Sequence, residues 1–256
     1  MYQSNEVSVD TLSDVIEGAQ AFGSSSASAD QAIILYERAL EELQHVYGET
    51  DTHKDTILVL HKLSGLLISK KRHKEAYGLL LREYISLERS KGLYDEKVIS
   101  ILAKLGGVCQ QLNRLEEARK WLEKCLVGKE SMYGYSHEKT LVTVSNLAIV
   151  LKNLGDFDAA KIMFDRELSG CELVHGVDHV STLMTVYNIG NFLYGRLNYS
   201  EAFKYFERAH KGFEKQEGPE SAKTKMAAKA VLNVLSKLNE NVFQKLSIES
   251  SYLSNS

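Results

Sequence analysis

Four alanines, Ala76, Ala118, Ala160 and Ala202, stand at three successive intervals of 42 residues in this chain. A catalytic loop is needed once, whereas a packing unit that cannot bury its own apolar face must be stacked on copies of itself. The interval therefore restricts the fold before any residue is read for chemistry. Gly92, Gly134, Gly176 and Gly218 keep the same spacing of 42, and so do Thr140, Thr182 and Thr224. An earlier copy carries Ala32 and Gly48, each 44 residues ahead of its counterpart, with the two extra residues in the loop GETDTH. His53, His137 and His179 return to multiples of 42.

Within each copy the apolar spacing is helical and falls into two helices joined by a short turn. In the third copy Leu102, Leu105, Gly106 and Cys109 form one stripe, and Leu115, Ala118, Leu122 and Cys125 form the next. Small residues recur where two helices must approach closely: Ser64, Gly106, Ala148 and Gly190 in the first helix, the alanines in the second. The turns LNR (112–114), LGD (154–156) and LNYS (197–200) carry residues that tolerate a left-handed backbone or cap a helix. Residues 10–22 are expected to supply a first helix for the earliest copy, with Asp10 as cap and Leu12, Val15, Ile16 and Ala19 on one face. The Ser-rich stretch 22–30 occupies the first inter-helix turn. The resulting organisation is an N-terminal extension at 1–29, a repeat array at 30–238 whose last helix (224–238) is a cap, and a polar tail at 239–256.

A formal net charge of −3 argues against a general nucleic-acid binder, and the single proline argues against a Pro-rich disordered chain. No basic region followed by an apolar segment opens the sequence, and no run of 18 apolar residues occurs. A soluble, cytoplasmic protein with no membrane insertion is expected. Cys109, Cys125 and Cys171 are too few and scattered for a disulfide framework and read as small apolar side chains. Cys171, His175 and His179 are spaced four apart, but Gly176 interrupts any helix between them and His179 copies His137, so a metal site is not expected. The basic run SKKRHK (69–74) falls at an inter-helix turn and reads as a solvated turn before it reads as a partner signal. Acid pairs such as Glu41-Glu42 and Glu116-Glu117 lie on exposed helix faces or first turns rather than converging in a pocket. No cofactor and no enzyme activity are expected.

The paired motifs Leu105-Gly106 with Cys109, Leu147-Ala148 with Leu151, and Ile189-Gly190 with Leu193, followed by Ala160-x3-Phe164 and Ala202-x3-Phe206, resemble the tetratricopeptide repeat. The 42-residue unit and the connector Tyr133-Gly134, His137, Thr140-Leu141 resemble the kinesin light chain type of that repeat, over roughly residues 30–238. The connector prolines of that family are missing except for a displaced Pro219, and the copy at 55–92 is degenerate. The resemblance implies an all-α fold, a right-handed α-α superhelix (a tetratricopeptide solenoid) of about five helix-turn-helix repeats plus a C-terminal capping helix.

In such a solenoid the first helices line the concave wall, so function is expected there. At 100° per residue the positions facing away from the core stripe give a groove containing His61, Lys62, Lys104, Gln111, Ser145, Asn146, Ile149, Asn153, Tyr187, Asn188 and Asn191. One column reads Lys62, Lys104, Asn146, Asn188. Asparagine is a weak choice inside a helix, so two in register invite either an external ligand or an inter-repeat hydrogen bond. The resemblance implies that Asn146 and Asn188 hold the backbone of an extended peptide. The expected partner is a protein or short linear peptide with acidic residues facing Lys62 and Lys104. The competing reading is a structural subunit of a stable complex or homo-oligomer, packed through apolar edges such as Trp121 and the terminal helix, or a regulatory domain of a larger assembly. The oligomeric state is left open.

Overall fold

The 42-residue ruler becomes a ruler of helices. A computed structural model describes residues 9–22, 28–48 and 53–253. Among these residues the chain forms eleven helices and no strand: α1 Val9–Phe22, α2 Ala29–Tyr47, α3 Lys54–Ser69, α4 His73–Lys91, α5 Glu96–Gln111, α6 Leu115–Tyr133, α7 Glu138–Leu154, α8 Phe157–His175, α9 Val180–Gly195, α10 Tyr199–Glu217 and α11 Ala222–Leu253. Every even-numbered helix from α2 to α10 has 19 residues. The helices fall into two compact units that part between Met132 and Tyr133. In each unit consecutive helices pack on one another, α1 through α5 in the first and α7 through α11 in the second, with α6 closed onto α5 by the contacts described next.

The columns read in the sequence are packing columns. Ala32, Ala76, Ala118, Ala160 and Ala202 are all fully buried, and four residues on in each copy stands a large buried side chain: Tyr36, Leu80, Leu122, Phe164 or Phe206. The first-helix column is equally tight. A Cβ at Gly106 would stand 2.7 Å from Leu122, and one at Gly190 would stand 2.7 Å from Phe206. A second close approach carries its own 42-residue column, which the sequence reading passed over. Gly128 sits under Ile99, Gly170 under Leu141 and Gly212 under Leu183. The pairs α5–α6 and α9–α10 are thus pinned at two places, near the turn and near the open end. Cys109, Cys125 and Cys171 are buried in this packing and none forms a disulfide, and burial pushes the Cys109 thiol up to about 11.

The connector between pairs is built from three residues per copy. Gly92, Gly134, Gly176 and Gly218 have φ between 81° and 95°, and with ψ near 170° at Gly92 and Gly218 the backbone enters a region open essentially to glycine. His53, His137 and His179 then cap α3, α7 and α9, each ring Nδ1 accepting a backbone N–H two residues on at 3.3, 3.1 and 3.2 Å. In α5 the same place is taken by Asp95, whose carboxylate accepts from Lys97 N at 2.9 Å. Stacking fixes the cap rings: Tyr47 on His53, Tyr133 on His137 and His175 on His179, with centroids 3.8, 5.1 and 4.7 Å apart. Thr140, Thr182 and Thr224 close the turn by donating to the carbonyls of Gly134, Gly176 and Gly218, each at 2.8 Å.

Some expectations shift in detail. The helix expected at 10–22 is α1, but Asp10 lies inside its first turn rather than before it. Ile16 and Ala19 are buried on the expected face, while the Leu12 side chain lies outside the described residues, as do residues 23–27 of the Ser-rich turn and 49–52 of the GETDTH loop. In LNYS the left-handed residue is Leu197, with φ 60°, while Asn198 accepts from Glu201 N as the cap of α10. The left-handed turn position is itself a column, Lys71, Asn113, Gly155 and Leu197. Beyond residue 238, where the sequence reading placed the start of a tail, α11 continues to Leu253; no glycine or proline interrupts 222–253.

The cap assignment is testable. His137→Ala should cost about 1 kcal/mol, the usual loss for an N-cap acceptor, whereas His137→Asp should hold most of that stability because Asp95 already does the same work in α5. Chemical denaturation midpoints of the two variants decide it.

Candidate functional site

The odd-numbered helices carry the residues predicted to face a ligand, and each unit gathers its own set. In the first unit His61 and Lys62 of α3 and Lys104 of α5 meet around a depression of about 400 Å³. Gln20 of α1, the buried ring of Tyr36 in α2, and Gly65 and Leu66 of α3 complete its lining. Lys104 is half-buried; desolvation lowers its pKa and Lys62 lowers it further, while Glu83 opposes both. A cation so placed gains from an anion brought to it, since the anion offsets both the lost hydration and the neighbouring charge. Gln111, at the end of α5, is exposed and does not line this depression.

The second unit collects amides and aromatics. Tyr187 and Asn191 of α9 line a depression of about 260 Å³ with Tyr194, and α11 supplies Met226, Lys229 and Asn233. The Tyr187 ring packs on Phe206 at 5.4 Å, so it is a wall of the site and part of the core at once. Asn188 and Ile149 are half-buried, and Asn146 and Asn153 are exposed. Ser145 is half-buried and stands against the buried carboxylate of Glu167, which accepts from Thr185 Oγ1 at 2.8 Å.

Three residues missed on α11 were within reach of the same arithmetic. Lys229 and Asn233 stand 42 residues beyond Tyr187 and Asn191, and Met226 stands 42 beyond Met184; the columns simply run one helix further. Gln20 had no such signal, because the connection between α1 and α2 is longer than the later turns. Trp121, expected as an open apolar edge, is half-buried, with Tyr84 set edge-on at 5.3 Å and Lys124 over its ring. Within SKKRHK, Lys70 pairs with Asp30 and Arg72 with Glu75 and Glu37, which uses part of that basic charge within the turn. Among the described residues no group of three His, Cys, Asp or Glu side chains could hold a metal ion, and no helix is long and apolar enough to cross a membrane.

Burial raises the Glu167 pKa above the ordinary carboxylate value. The folded chain therefore keeps this proton at a pH where the unfolded chain has lost it, and stability rises as pH falls through the folded pKa toward the unfolded one. Glu167→Gln keeps an acceptor for Thr185 and removes the buried charge. It should be at least as stable as the parent near pH 7 and should lack the parent's relative gain near pH 5, read from urea midpoints at the two pH values.

Two family models for the tetratricopeptide repeat match the chain, one over residues 98–138 and one over 139–215. No curated protein sequence matches it. Among solved structures, TPR-like repeats attributed to a kinesin light chain of Podosopora anserina are similar with a TM-score of 0.69 at 16% identity, covering 80% of this chain and 96% of that one. BtubC (BKLC) from P. vanneervenii is similar with a TM-score of 0.65 at 18% identity, covering 86% and 87%. NprR, in complex with its cognate peptide NprX, is similar with a TM-score of 0.56 at 16% identity, covering 98% and 68%. The 42-residue helix pairs, their alanine and glycine columns and these matches agree: residues 98–215 match tetratricopeptide-repeat models, and the chain shares the fold of the kinesin light chain-like repeat structures.

Proposed function

We propose that this protein is an adaptor that captures an extended peptide segment of a partner protein on the faces of its odd-numbered helices. The observation that carries the reading is the depression where Lys62, His61 and the desolvated Lys104 converge beside Tyr36. Two cations held this close favour a ligand with acidic side chains. In the second unit Asn146, Asn188 and Asn191 offer amides that both donate and accept, which suits a chain whose N–H and C=O groups alternate. Tyr187, Tyr194 and Ile149 offer apolar surface for its side chains. NprR, similar in fold, is described with a bound peptide, which supports the mode and says nothing of the sequence bound here. Buried cysteines that form no disulfide suit a reducing cytoplasm.

A second reading has its own observation. Leu173, Val174 and Val177 are exposed at the end of α8 and the connector after it, with 78% of Leu173 accessible. An apolar edge of this kind suits a stable protein partner or a second copy of the chain.

The experiment selects peptides from a random 12-residue library on the parent protein, then measures the affinity of the selected peptide for variants. Asn146→Ala with Asn188→Ala should weaken binding about tenfold or more, as two lost hydrogen bonds of about 0.5 to 1.5 kcal/mol each would require. The melting temperature should hold, since alanine is the better helix former. Lys62→Glu with Lys104→Glu should weaken acidic peptides further and flatten the salt dependence of binding. A large loss of stability in the asparagine variant would assign those amides to inter-repeat structure. Unchanged affinity would remove them from the site.

A further inference from the structure

Next to the basic depression, and sharing His61 with it, lies a cavity of about 590 Å³ between the N-terminal halves of α3 and α5, with α4 as its floor. Its walls are Ile57 and Leu58 of α3 and Leu87 of α4, and Glu83 of α4 also lines it. Glu83 is only 1% exposed. One carboxylate oxygen takes the His61 Nδ1 at 2.8 Å; the other, Oε2, has no hydrogen-bond partner. A buried carboxylate oxygen left unmatched is expensive, more so beside apolar walls where water is a poor substitute.

The second unit holds a carboxylate in the same register. Glu167 stands 84 residues beyond Glu83, two repeat lengths; its Oε1 accepts from Thr185 Oγ1 at 2.8 Å with Ser145 nearby, and its Oε2, like that of Glu83, has no hydrogen-bond partner. The residues at those places in the first unit are Ile101 and His61. Ile101 has no donor to give, so the Glu83 carboxylate is paired with His61 through one oxygen, and it lines the cavity. At the cavity mouth Lys54 and Asp55 on α3 alternate with Glu96 and Lys97 on α5, a set of charges that cancels, so the acidic group inside is Glu83, with His61 against one oxygen and Lys104 acting on it electrostatically.

We propose that this cavity is a second binding site, for a basic side chain whose apolar stem lies along Ile57, Leu58 and Leu87 and whose cationic head is held by Glu83 Oε2. A guanidinium fits better than an ammonium, because it sheds its hydration more readily and presents a planar donor set to a carboxylate. The volume exceeds that of one side chain and leaves room for its flanking backbone. With the Lys62 and Lys104 depression on the other side of His61, the first unit has neighbouring pockets of opposite charge preference. This site stands on Glu83 and its cavity alone and does not depend on peptide capture by the asparagine faces.

The test uses small probes of equal stem and different head on the full chain: butylguanidinium, pentanol and pentanoate, titrated at constant ionic strength and followed by backbone amide NMR shifts. Butylguanidinium should saturate shifts at Ile57, Leu58, His61 and Leu87, and bind at least about fivefold more tightly than the other two. Glu83→Gln, with its melting temperature recorded alongside, should abolish that preference, while Lys62→Ala should not weaken butylguanidinium. Equal binding of pentanol or pentanoate by the parent protein would overturn the proposal whatever the variant does, as would undiminished butylguanidinium binding by folded Glu83→Gln. Neither result bears on acidic peptides at Lys62 and Lys104, whose affinity is measured separately.

Discussion

The helices of each pair come so close that at defined places no side chain fits between them, and the rest of the structure depends on that approach. At Gly106 and Gly190 in the first helix, and at Gly128, Gly170 and Gly212 in the second, an added methyl would stand inside a neighbouring Leu, Ile or Phe side chain. Two such points along one antiparallel pair fix both the distance and the crossing of its axes, because a rigid rod held at two places has little freedom left. The large residues that overlie the glycines, Leu122, Phe206, Ile99, Leu141 and Leu183, are themselves buried. Small and large alternate across the interface, which is how a core reaches interior packing density without strain.

The start of each following helix is set by local chemistry. A glycine reverses the chain, a stacked histidine caps the following helix, and a threonine ties that helix to the glycine carbonyl, as at Gly176, His179 and Thr182. None of these contacts needs a distant partner, so each copy encodes its own geometry. The consequence for function is positional. Residues such as Lys62 and Lys104, or Asn191 and Lys229, are brought side by side by the scaffold without being members of the columns that hold the pairs together.

Much of this was legible in the sequence, for a physical reason: a contact repeated every 42 residues leaves a residue type repeated every 42 residues. Ala160 and Gly134 are constrained by space and by backbone conformation, and such constraints admit few residues. The Gly128, Gly170 and Gly212 column is equally visible in the sequence. What periodicity could not show is chemistry that breaks the repeat. Glu83 and Glu167 sit where Cys125 and Ala209 sit in other copies, so nothing in the pattern announces a buried carboxylate. Trp121 likewise looked like an open edge until Tyr84 and Lys124 covered it. Lys229 and Asn233 show the opposite case, where the pattern held for one helix more than it was followed.

Two adjacent glycines in α5 isolate the central constraint. A Cβ on Gly106 would meet Leu122 at 2.7 Å, while a Cβ on Gly107 meets nothing within 4 Å, and both residues lie in the interior of the same helix. Gly107→Ala should therefore raise stability by about 0.5 to 1 kcal/mol through helix propensity, and Gly106→Ala should lower it by about 1 to 3 kcal/mol through overpacking. Equilibrium unfolding of the two variants under identical conditions reads the difference directly. Opposite signs are the predicted result. Stabilisation of both variants to the same degree would contradict the account, because it would mean that the helices of a pair are not held at the distance the glycine column requires.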